Sequence, residues 1–320
     1  MKLRLALLAD LAEPVGPDAR SGEAALAFEL ADGLLEASRD TGEISADLFA
    51  RRGSWRGLPL VSLDPGEIAR RPAHPLDRFA EAEALYAQLV IEGMLRGYDL
   101  VHCLAPVLAP LQMLAALGVP VVQTVLVPAS HPAAKLPPSL VAPKLLRRAS
   151  VLPLDGARQI PPGVDTTRFR PLSDPSEGYL LWLGSGRRRE AEAIAASLGL
   201  PLRTWRRGDP VSPLQDARAL LHLERNPSPT GLLWPLRALA CGTPVAGWRG
   251  AGLEDVLDRP ELGVLATPGD LAGLVQALRD LPDRSTAVPL RRQHVLGCYG
   301  RRAMIARYRE MYRALTTVPA

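Results

Sequence analysis

Short apolar segments alternate with segments of helical periodicity along almost the whole chain, and this alternation restricts the fold more than any other feature. The first apolar segment, residues 3–9 (LRLALLA), has the length of a strand buried on both faces. A turn-rich stretch follows it, and Leu26, Leu30 and Leu34 then recur at helical spacing. Further strand-length runs occupy residues 99–104, 119–127, 178–184, 218–223 and 243–247. The alternation predicts an α/β fold with parallel sheets and helices on both faces.

A chain of 320 residues with a break in composition is predicted to form two domains, since one domain usually has ~100–200 residues. Proline, aspartate and serine crowd together over residues 161–177. We therefore expect a first domain over residues 1–173, a second over 174–301, and a closing helix over 302–316 that packs back on the first domain. Each half has the pattern of a doubly wound unit. Two such units facing across a cleft would direct helix N-termini at a phosphate-bearing ligand.

Composition excludes several other classes of protein. A hydrophobic content of 47% is enough to bury a large core, which excludes wholesale disorder. No uncharged apolar run approaches the ~18–20 residues that cross a bilayer, and Asp10 interrupts the N-terminal run, as expected for a strand rather than a signal peptide. Three widely spaced cysteines exclude a disulfide scaffold and a structural zinc site, and fit a reducing cytoplasm. The net charge of +4 does not demand nucleic acid as a partner.

Several motifs resemble those of the family-4 retaining glycosyltransferases. Residues 238–246 (ALACGTPVA) resemble the A-C-G-T-P-V segment of that family, and residues 160–171 (IPPGVDTTRFRP) resemble its I-P-N-G-V-D-x-x-x-F-x-P segment. The other matches are Gly250 to Glu254 (G-x-x-x-E), Gly263 to Leu265 (G-x-L), YDLVHC at 98–103, SGEAALAFELADGL at 21–34 and the closing helix. The matches keep the order of the family over nearly the whole chain. The resemblance implies the GT-B fold, in which two Rossmann-like domains face each other across a cleft.

The resemblance also implies an activity. The first domain would bind a sugar or lipid-linked acceptor, and the second would bind a nucleotide diphosphate sugar as the donor. A hexose would be transferred with retention, without a metal ion or any other cofactor, in polysaccharide or glycolipid synthesis. The protein would then act by stabilising the departing diphosphate and orienting the acceptor hydroxyl. The basic, apolar segment 137–154 leaves peripheral contact with an anionic membrane open, although a surface helix is the simpler interpretation.

The family's binding residues, carried over by position, give the candidate site. The donor phosphates are expected to contact Ser21, Gly22, Ser185, Arg187 and Arg188. The donor sugar and nucleotide are expected to contact Ser228, Gly231, Leu232, Arg237 and Glu254. His102 is expected either to contact the acceptor or to be a buried histidine bonded within the protein. Structural alternatives also stand for the others: a solvated helix start for Arg187 and Arg188, a structural partner within the protein as the favoured interpretation of Arg237, a cap or ion pair at a helix start for Glu254, and plain turns for the glycines.

The chain departs from the family at the two positions where family members have a glutamate that binds the donor. The first falls at Ser228 and the second at Arg237. The second change reverses the chemistry, because a carboxylate accepts hydrogen bonds from ribose hydroxyls and a guanidinium only donates them. Ser185 likewise stands in place of a basic residue. Three functions stay open: a transferase with a rebuilt donor site, a catalytically inactive glycosyltransferase-like binding or assembly protein, and a related enzyme whose arginines hold a phosphate of the substrate.

Overall fold

The chain folds into two compact units. The computed structural model describes residues 2–64, 75–126, 146–150, 157–176, 178–183, 187–205, 208–224, 229–250, 252–282 and 284–316. Unit 1 consists of Met1–Gly163 and Arg302–Ala320, and unit 2 of Val164–Arg301. The first division falls after Gly163 rather than after residue 173. Val164 already belongs to unit 2, where its N–H donates to the carbonyl of Tyr299 at 2.9 Å and its own carbonyl accepts from Arg301 at 2.9 Å.

Unit 1 contains a parallel sheet of seven strands in the described residues, with the order β3-β2-β1-β4-β5-β6-β7. The strands are β1 (Leu3–Leu8), β2 (Ile44–Arg51), β3 (Leu60–Leu63), β4 (Leu100–Cys103), β5 (Val121–Val125), β6 (Leu146–Ser150) and β7 (Arg158–Gln159). Strand β6 corrects the prediction of a surface helix over residues 137–154. Its backbone pairs with β5 on one side and β7 on the other, and this pairing overrides the local sequence pattern.

The first strand and helix of unit 1 form for reasons that are visible in the sequence. Residues 5–8 of β1 are fully buried, because β2 and β4 pair with this strand on either side and helices cover the sheet. Helix α1 (Gly22–Thr41) begins after Ser21, whose side chain accepts from the Ala24 N–H at 3.1 Å. It ends at Gly42, which has the left-handed conformation (φ +64°) that favours glycine. Helices α2 (Pro75–Ile91) and α3 (Ala109–Ala116) follow.

Unit 2 contains a parallel sheet of five strands in its described residues, with the order β12-β11-β10-β8-β9. The strands are β8 (Leu180–Trp182), β9 (Leu202–Thr204), β10 (Ala219–His222), β11 (Val245–Trp248) and β12 (Gly263–Ala266). The helices are α4 (Arg188–Leu198), α5 (Val211–Asp216), α6 (Leu233–Ala240), α7 (Leu253–Val256), α8 (Leu271–Arg279) and α9 (Arg284–Cys298), with a 3₁₀ helix over Pro229–Leu232. Apolar residues of α4 and α8 pack on one face of the sheet and form its core.

The closing helix α10 (Arg301–Thr316) belongs to unit 1 from Arg302 onward. The sequence predicts this, because the helix was expected to pack back on the first domain. Its apolar face is Met304, Ile305, Tyr308, Met311, Tyr312 and Leu315, and all six side chains are buried. None of the helices in the described part of the chain combines the length and the apolar character needed to cross a membrane.

Each sheet has one position at which the order of its strands reverses. In unit 1 the chain runs outward from β1 to β3 in one direction and from β4 to β7 in the other, so the reversal lies between β1 and β4. In unit 2 it lies between β8 and β10. Ligands of open α/β sheets bind outside the carboxyl ends of the strands at such positions, because the loops diverge there. These two edges are therefore where a site is expected.

Candidate functional site

The start of α1, at the reversal in unit 1, already holds an anionic group of the chain itself. The carboxylate of Glu13 accepts from the N–H of Arg20 at 2.9 Å and from the N–H of Ser21 at 2.7 Å. The Ser21 hydroxyl is engaged with Ala24, and Gly22 is the first residue of the helix. The backbone donors that a phosphate would use at Arg20 and Ser21 are thus occupied. The structure shows these donors bonded within the protein, and the phosphate contact of Ser21 and Gly22 stays a prediction.

The start of α3 is occupied in the same manner. The carboxylate of Glu83 accepts from the N–H of Leu108 at 2.8 Å and also from the N–H of Ala109. A carboxylate at a helix N-terminus satisfies backbone donors and interacts favourably with the helix dipole. Two helix N-termini at the carboxyl edge of the unit 1 sheet therefore carry internal carboxylates.

One helix at the reversal in unit 2 starts differently. Helix α4 follows β8, and its N-cap Arg187 makes no side-chain capping bond. Helix α6 follows β10 but continues from the 3₁₀ helix Pro229–Leu232, which bonds the first N–H groups of α6. An uncapped N-terminus leaves N–H groups and partial positive charge for an anion. The phosphate-binding chemistry of the described residues is therefore concentrated in unit 2, at the start of α4.

Two of the predicted phosphate ligands stand at the start of α4. Arg187 has a left-handed backbone (φ +51°), which is uncommon for a residue with a side chain and is typical of sites where strain is tolerated for function. Its Nη1 lies 2.5 Å from Oε1 of Glu190, and both side chains are about three-quarters buried. Arg188 Nε lies 2.8 Å from Glu192 on the exposed helix surface. Both arginines are thus positioned at the uncapped helix start and held by carboxylates of their own helix.

Residues predicted to bind the donor sugar lie at the start of α6 and inside it. Gly231 and Leu232 end the 3₁₀ helix that leads into α6, and the side chain of Leu232 is buried, so only its backbone faces the edge. Arg237 lies inside unit 2, in agreement with its structural alternative. It is completely buried, and its guanidinium carbon lies 4.8 Å from the ring centres of both Phe169 and Trp234. A side chain enclosed by two aromatic rings belongs to the core of unit 2 rather than to its binding surface.

Glu254 lies in the first turn of α7, which follows β11 at the same edge. The N-cap of this helix is Gly252 (φ +81°), so Glu254 is not the cap. The side chain is half-buried and makes no hydrogen bond or ion pair with any residue that the structure describes. Ser185 and Ser228 fall outside the described residues. Within the described residues, no group of three or more histidine, cysteine, aspartate or glutamate side chains could hold a metal ion.

His102 is a buried residue of β4 rather than a surface residue. Its Nδ1 lies 2.6 Å from the hydroxyl of Tyr312 and its Nε2 lies 2.7 Å from Oγ1 of Thr124. The hydroxyl of Tyr308 lies 2.9 Å from the same Thr124 oxygen. The imidazole is fully enclosed, and both nitrogens are bonded. The network fastens α10 to the sheet of unit 1, which is the structural alternative that the sequence left open.

Acid is expected to destabilise unit 1 through His102. Burial lowers the pKa of His102 to about 3, below its ordinary value near 6.5. Because the unfolded chain takes up the proton more readily, the stabilisation is complete above about pH 6.5 and is lost as the pH falls towards 3. Between pH 8 and pH 5 the expected loss is about 2 kcal/mol from this residue. Urea unfolding at the two pH values measures it.

The variant His102→Gln provides the control for that measurement. It is expected to be less stable than the wild type at pH 8, since the network is broken, but to lose about 2 kcal/mol less on moving to pH 5. The other titrating groups are common to both proteins and cancel in the comparison. If the variant and the wild type lose the same unfolding free energy between pH 8 and pH 5, the assignment to His102 is wrong.

Similarity to solved structures extends over the whole chain. Sucrose-phosphate synthase from Thermosynechococcus elongatus has a TM-score of 0.71 at 17% identity, over 98% of this chain and 99% of that one. Anabaena HepE in complex with UDP-glucose has a TM-score of 0.64 at 13% identity, over 97% and 99%. The glycosyltransferase SnogD from Streptomyces nogalater has a TM-score of 0.55 at 17% identity, over 98% and 100%.

No protein-family model matches the chain, and comparison with curated proteins finds no match. At identities below 20% the structural likeness establishes the fold and not the activity. The chain has two Rossmann-like units with parallel sheets, and its fold is the GT-B fold of glycosyltransferases.

Proposed function

We propose that the protein transfers a hexosyl group from a nucleotide diphosphate sugar to a sugar or lipid-linked acceptor, without a metal ion and with retention. The observation that carries the proposal is the contrast between the two sheet edges. In unit 2 helix α4, at the strand reversal, starts without a side-chain cap, and Arg187 and Arg188 stand at its start. In unit 1 the carboxylates of Glu13 and Glu83 fill the equivalent positions. A diphosphate would therefore bind unit 2 and leave unit 1 for a neutral acceptor.

The chemistry of glycosyl transfer fits such a site. The bond from the sugar to the diphosphate breaks with negative charge developing on the leaving oxygen, and oriented N–H groups and guanidinium groups stabilise that charge. Arg187 and the start of α4 would supply both kinds of donor. HepE, which shares the fold over the whole chain, was solved with UDP-glucose, and this favours a UDP-sugar as the first donor to test.

The alternative of a catalytically inactive binding protein rested on the replacement of two glutamates. Arg237, at the second of these positions, lies in the core of unit 2, so its presence does not put a wrong charge against the donor. Full-length likeness to glycosyltransferase structures also does not favour the inactive protein.

A lipid-linked acceptor would require contact with a membrane, and this part of the proposal rests on exposed apolar residues of unit 1. Helices α2 and α3 both run back to the amino edge of the unit 1 sheet. Beside their ends lie the exposed apolar side chains Ile91, Met94 and Leu117, with the exposed Arg96 close in sequence. Sedimentation with phosphatidylglycerol vesicles, compared with phosphatidylcholine vesicles, tests this contact. Segment 137–154, apart from β6, lies outside the described residues.

A binding screen tests the proposed function. Thermal unfolding and calorimetry would be measured with UDP, GDP, ADP and dTDP and with their common sugars, in EDTA. A ligand at a hundred times its dissociation constant adds about 2.7 kcal/mol of stability. Binding of one nucleotide in EDTA, followed by transfer of its sugar to an acceptor, supports the proposal. A cooperative melt that no nucleotide shifts at millimolar concentration overturns it in favour of the inactive protein.

A further inference from the structure

The loops that follow β1 and β2 are bonded to each other at the carboxyl edge of the unit 1 sheet. The N–H of Trp55 donates to the carbonyl of Val15 at 2.7 Å, and the N–H of Val15 donates to the hydroxyl of Ser54 at 2.9 Å. Arg51, the last residue of β2, donates through Nη1 to the carbonyl of Ala12 at 2.7 Å. The backbone that carries Trp55 is therefore held in place by the protein itself.

The indole of Trp55 is also held in place, by Phe28 and Gly57. The ring of Phe28, a buried residue of α1, lies nearly perpendicular to the indole, with the ring centres 5.4 Å apart. A Cβ atom on Gly57 would lie 1.9 Å from Cζ2 of the indole and 2.2 Å from Cη2, so only glycine lets the backbone pass this close to the ring. An aromatic side chain that is already ordered loses little conformational entropy when a ligand binds.

Trp55 is exposed to a degree that the other tryptophans are not. The chain has five tryptophans, and four of them, Trp182, Trp205, Trp234 and Trp248, lie in unit 2 and are at most 9% exposed. Trp55 is the tryptophan of unit 1 and is partly exposed at the loop surface. Its Nε1–H donates to no residue in the part of the chain that the structure describes. The side chain thus presents both an apolar surface and an unused hydrogen-bond donor.

The charged groups around Trp55 favour an uncharged ligand that carries hydroxyl groups. The carboxylate of Glu13, in the loop bonded to Trp55, already accepts from the N–H groups at the start of α1. Arg52 lies 3.6 Å from Asp64, which balances part of its charge. Arg56, the residue after Trp55, is exposed and can donate to hydroxyl or ring oxygens. An apolar surface with a few polar groups beside it matches a sugar, which has C–H groups on the faces of its ring and hydroxyls around it.

We propose that Trp55 binds a sugar ring of the acceptor, whose C–H groups contact the exposed part of the indole while a sugar hydroxyl accepts from Nε1–H. The assignment rests on the proposed function, which leaves unit 1 for a neutral acceptor. Trp55 lies on the loop after β2, and β2 pairs with β1. The strand order reverses on the other side of β1. The loop of Trp55 is therefore one strand away from the position at this edge where a ligand is expected.

Fluorine NMR of the protein labelled with 5-fluorotryptophan tests this contact without turnover. The resonance that is missing from Trp55→Phe identifies Trp55, and the four tryptophans of unit 2 are internal controls. The probes are methyl glucosides, methyl galactosides, maltose and cellobiose. At least one of these sugars is expected to shift the Trp55 resonance and to leave the unit 2 resonances in place. If none of them shifts it, or if all the resonances move together, the assignment is wrong.

Calorimetry with the sugar that shifts Trp55 measures the size of the effect. Trp55→Ala is expected to bind it about 10-fold more weakly, which corresponds to about 1.4 kcal/mol, and Trp55→Phe should lose less because it keeps an aromatic ring. Unchanged affinity in Trp55→Ala overturns the assignment, and ligand-free melting temperatures show whether the variants fold. UDP affinity separates the two proposals. A wild type that binds UDP without any response of Trp55 to sugars contradicts only the sugar assignment, whereas one that binds no nucleotide contradicts the proposed function.

Discussion

Replacing Gly263 with alanine is expected to destabilise unit 2 by about 3 kcal/mol. A Cβ atom on Gly263 would lie 2.0 Å from the carbonyl oxygen of Val245, on the neighbouring strand β11. That obstacle is backbone, and the two residues are paired in the parallel ladder, so relief of the clash requires β12 to separate from β11. Urea unfolding followed by tryptophan fluorescence would measure the loss, since Trp248 is the last residue of β11.

Gly297→Ala in the same unit is the control. Gly297 lies in helix α9, and a Cβ atom on it would meet nothing within 4 Å. Alanine in a helix is favoured over glycine by about 1 kcal/mol, so this variant is expected to be as stable as the wild type or more stable. Equal stability of the two variants would show that β12 accommodates a side chain at Gly263, against the packing seen in the structure.

The same glycines explain why the fold could be predicted from the sequence. Gly263 begins the G-x-L motif, Gly242 in ALACGTPVA has a φ of +79°, and Gly250, which begins the G-x-x-x-E motif, has a φ of +128°. These positions require glycine because of the backbone, whatever ligand is bound. A motif of this kind reports the scaffold rather than the ligand. The similarity to solved structures confirms the GT-B fold, while the family-4 assignment stays a prediction.

Site features that depend on distant partners could not be predicted. His102 bonds to Tyr312, 210 residues further along the chain, and no local pattern shows that the two meet. The carboxylate of Glu83 reaches the N–H of Leu108 across 25 residues. The local sequence pattern favoured a helix at β6, but the segment forms a strand because it pairs with β5 and β7. The positions of the arginines at a strand-to-helix junction were predicted, because the junction itself is local; their ion pairs and the backbone strain at Arg187 were not.

Replacing Arg187 with glutamine is expected to weaken UDP binding by about 10- to 100-fold. A hydrogen bond between charged groups is worth about 1.5–3 kcal/mol, and 1.4 kcal/mol corresponds to a factor of ten. Arg187 stands at the uncapped start of α4, where the helix dipole and the guanidinium act on the same anion. Isothermal titration calorimetry would measure the change, and the loss should shrink as salt is added, because salt screens the interaction.

Glu190→Gln should shift the affinity in the opposite direction, and the sign separates electrostatics from loss of fold. In the ligand-free protein Glu190 holds Arg187, and its carboxylate would stand beside the bound diphosphate and repel it. Removing that charge frees Arg187 for the ligand, so UDP should bind more tightly. Both side chains are about three-quarters buried, so the ligand-free melting temperature of the variant separates a loss of stability from a change in affinity. Arg279→Gln, at the far end of α8, makes the same change in net charge as Arg187→Gln and should leave UDP affinity unchanged. Weaker UDP binding in Glu190→Gln would mean that the ion pair positions Arg187 for the diphosphate rather than competing with it.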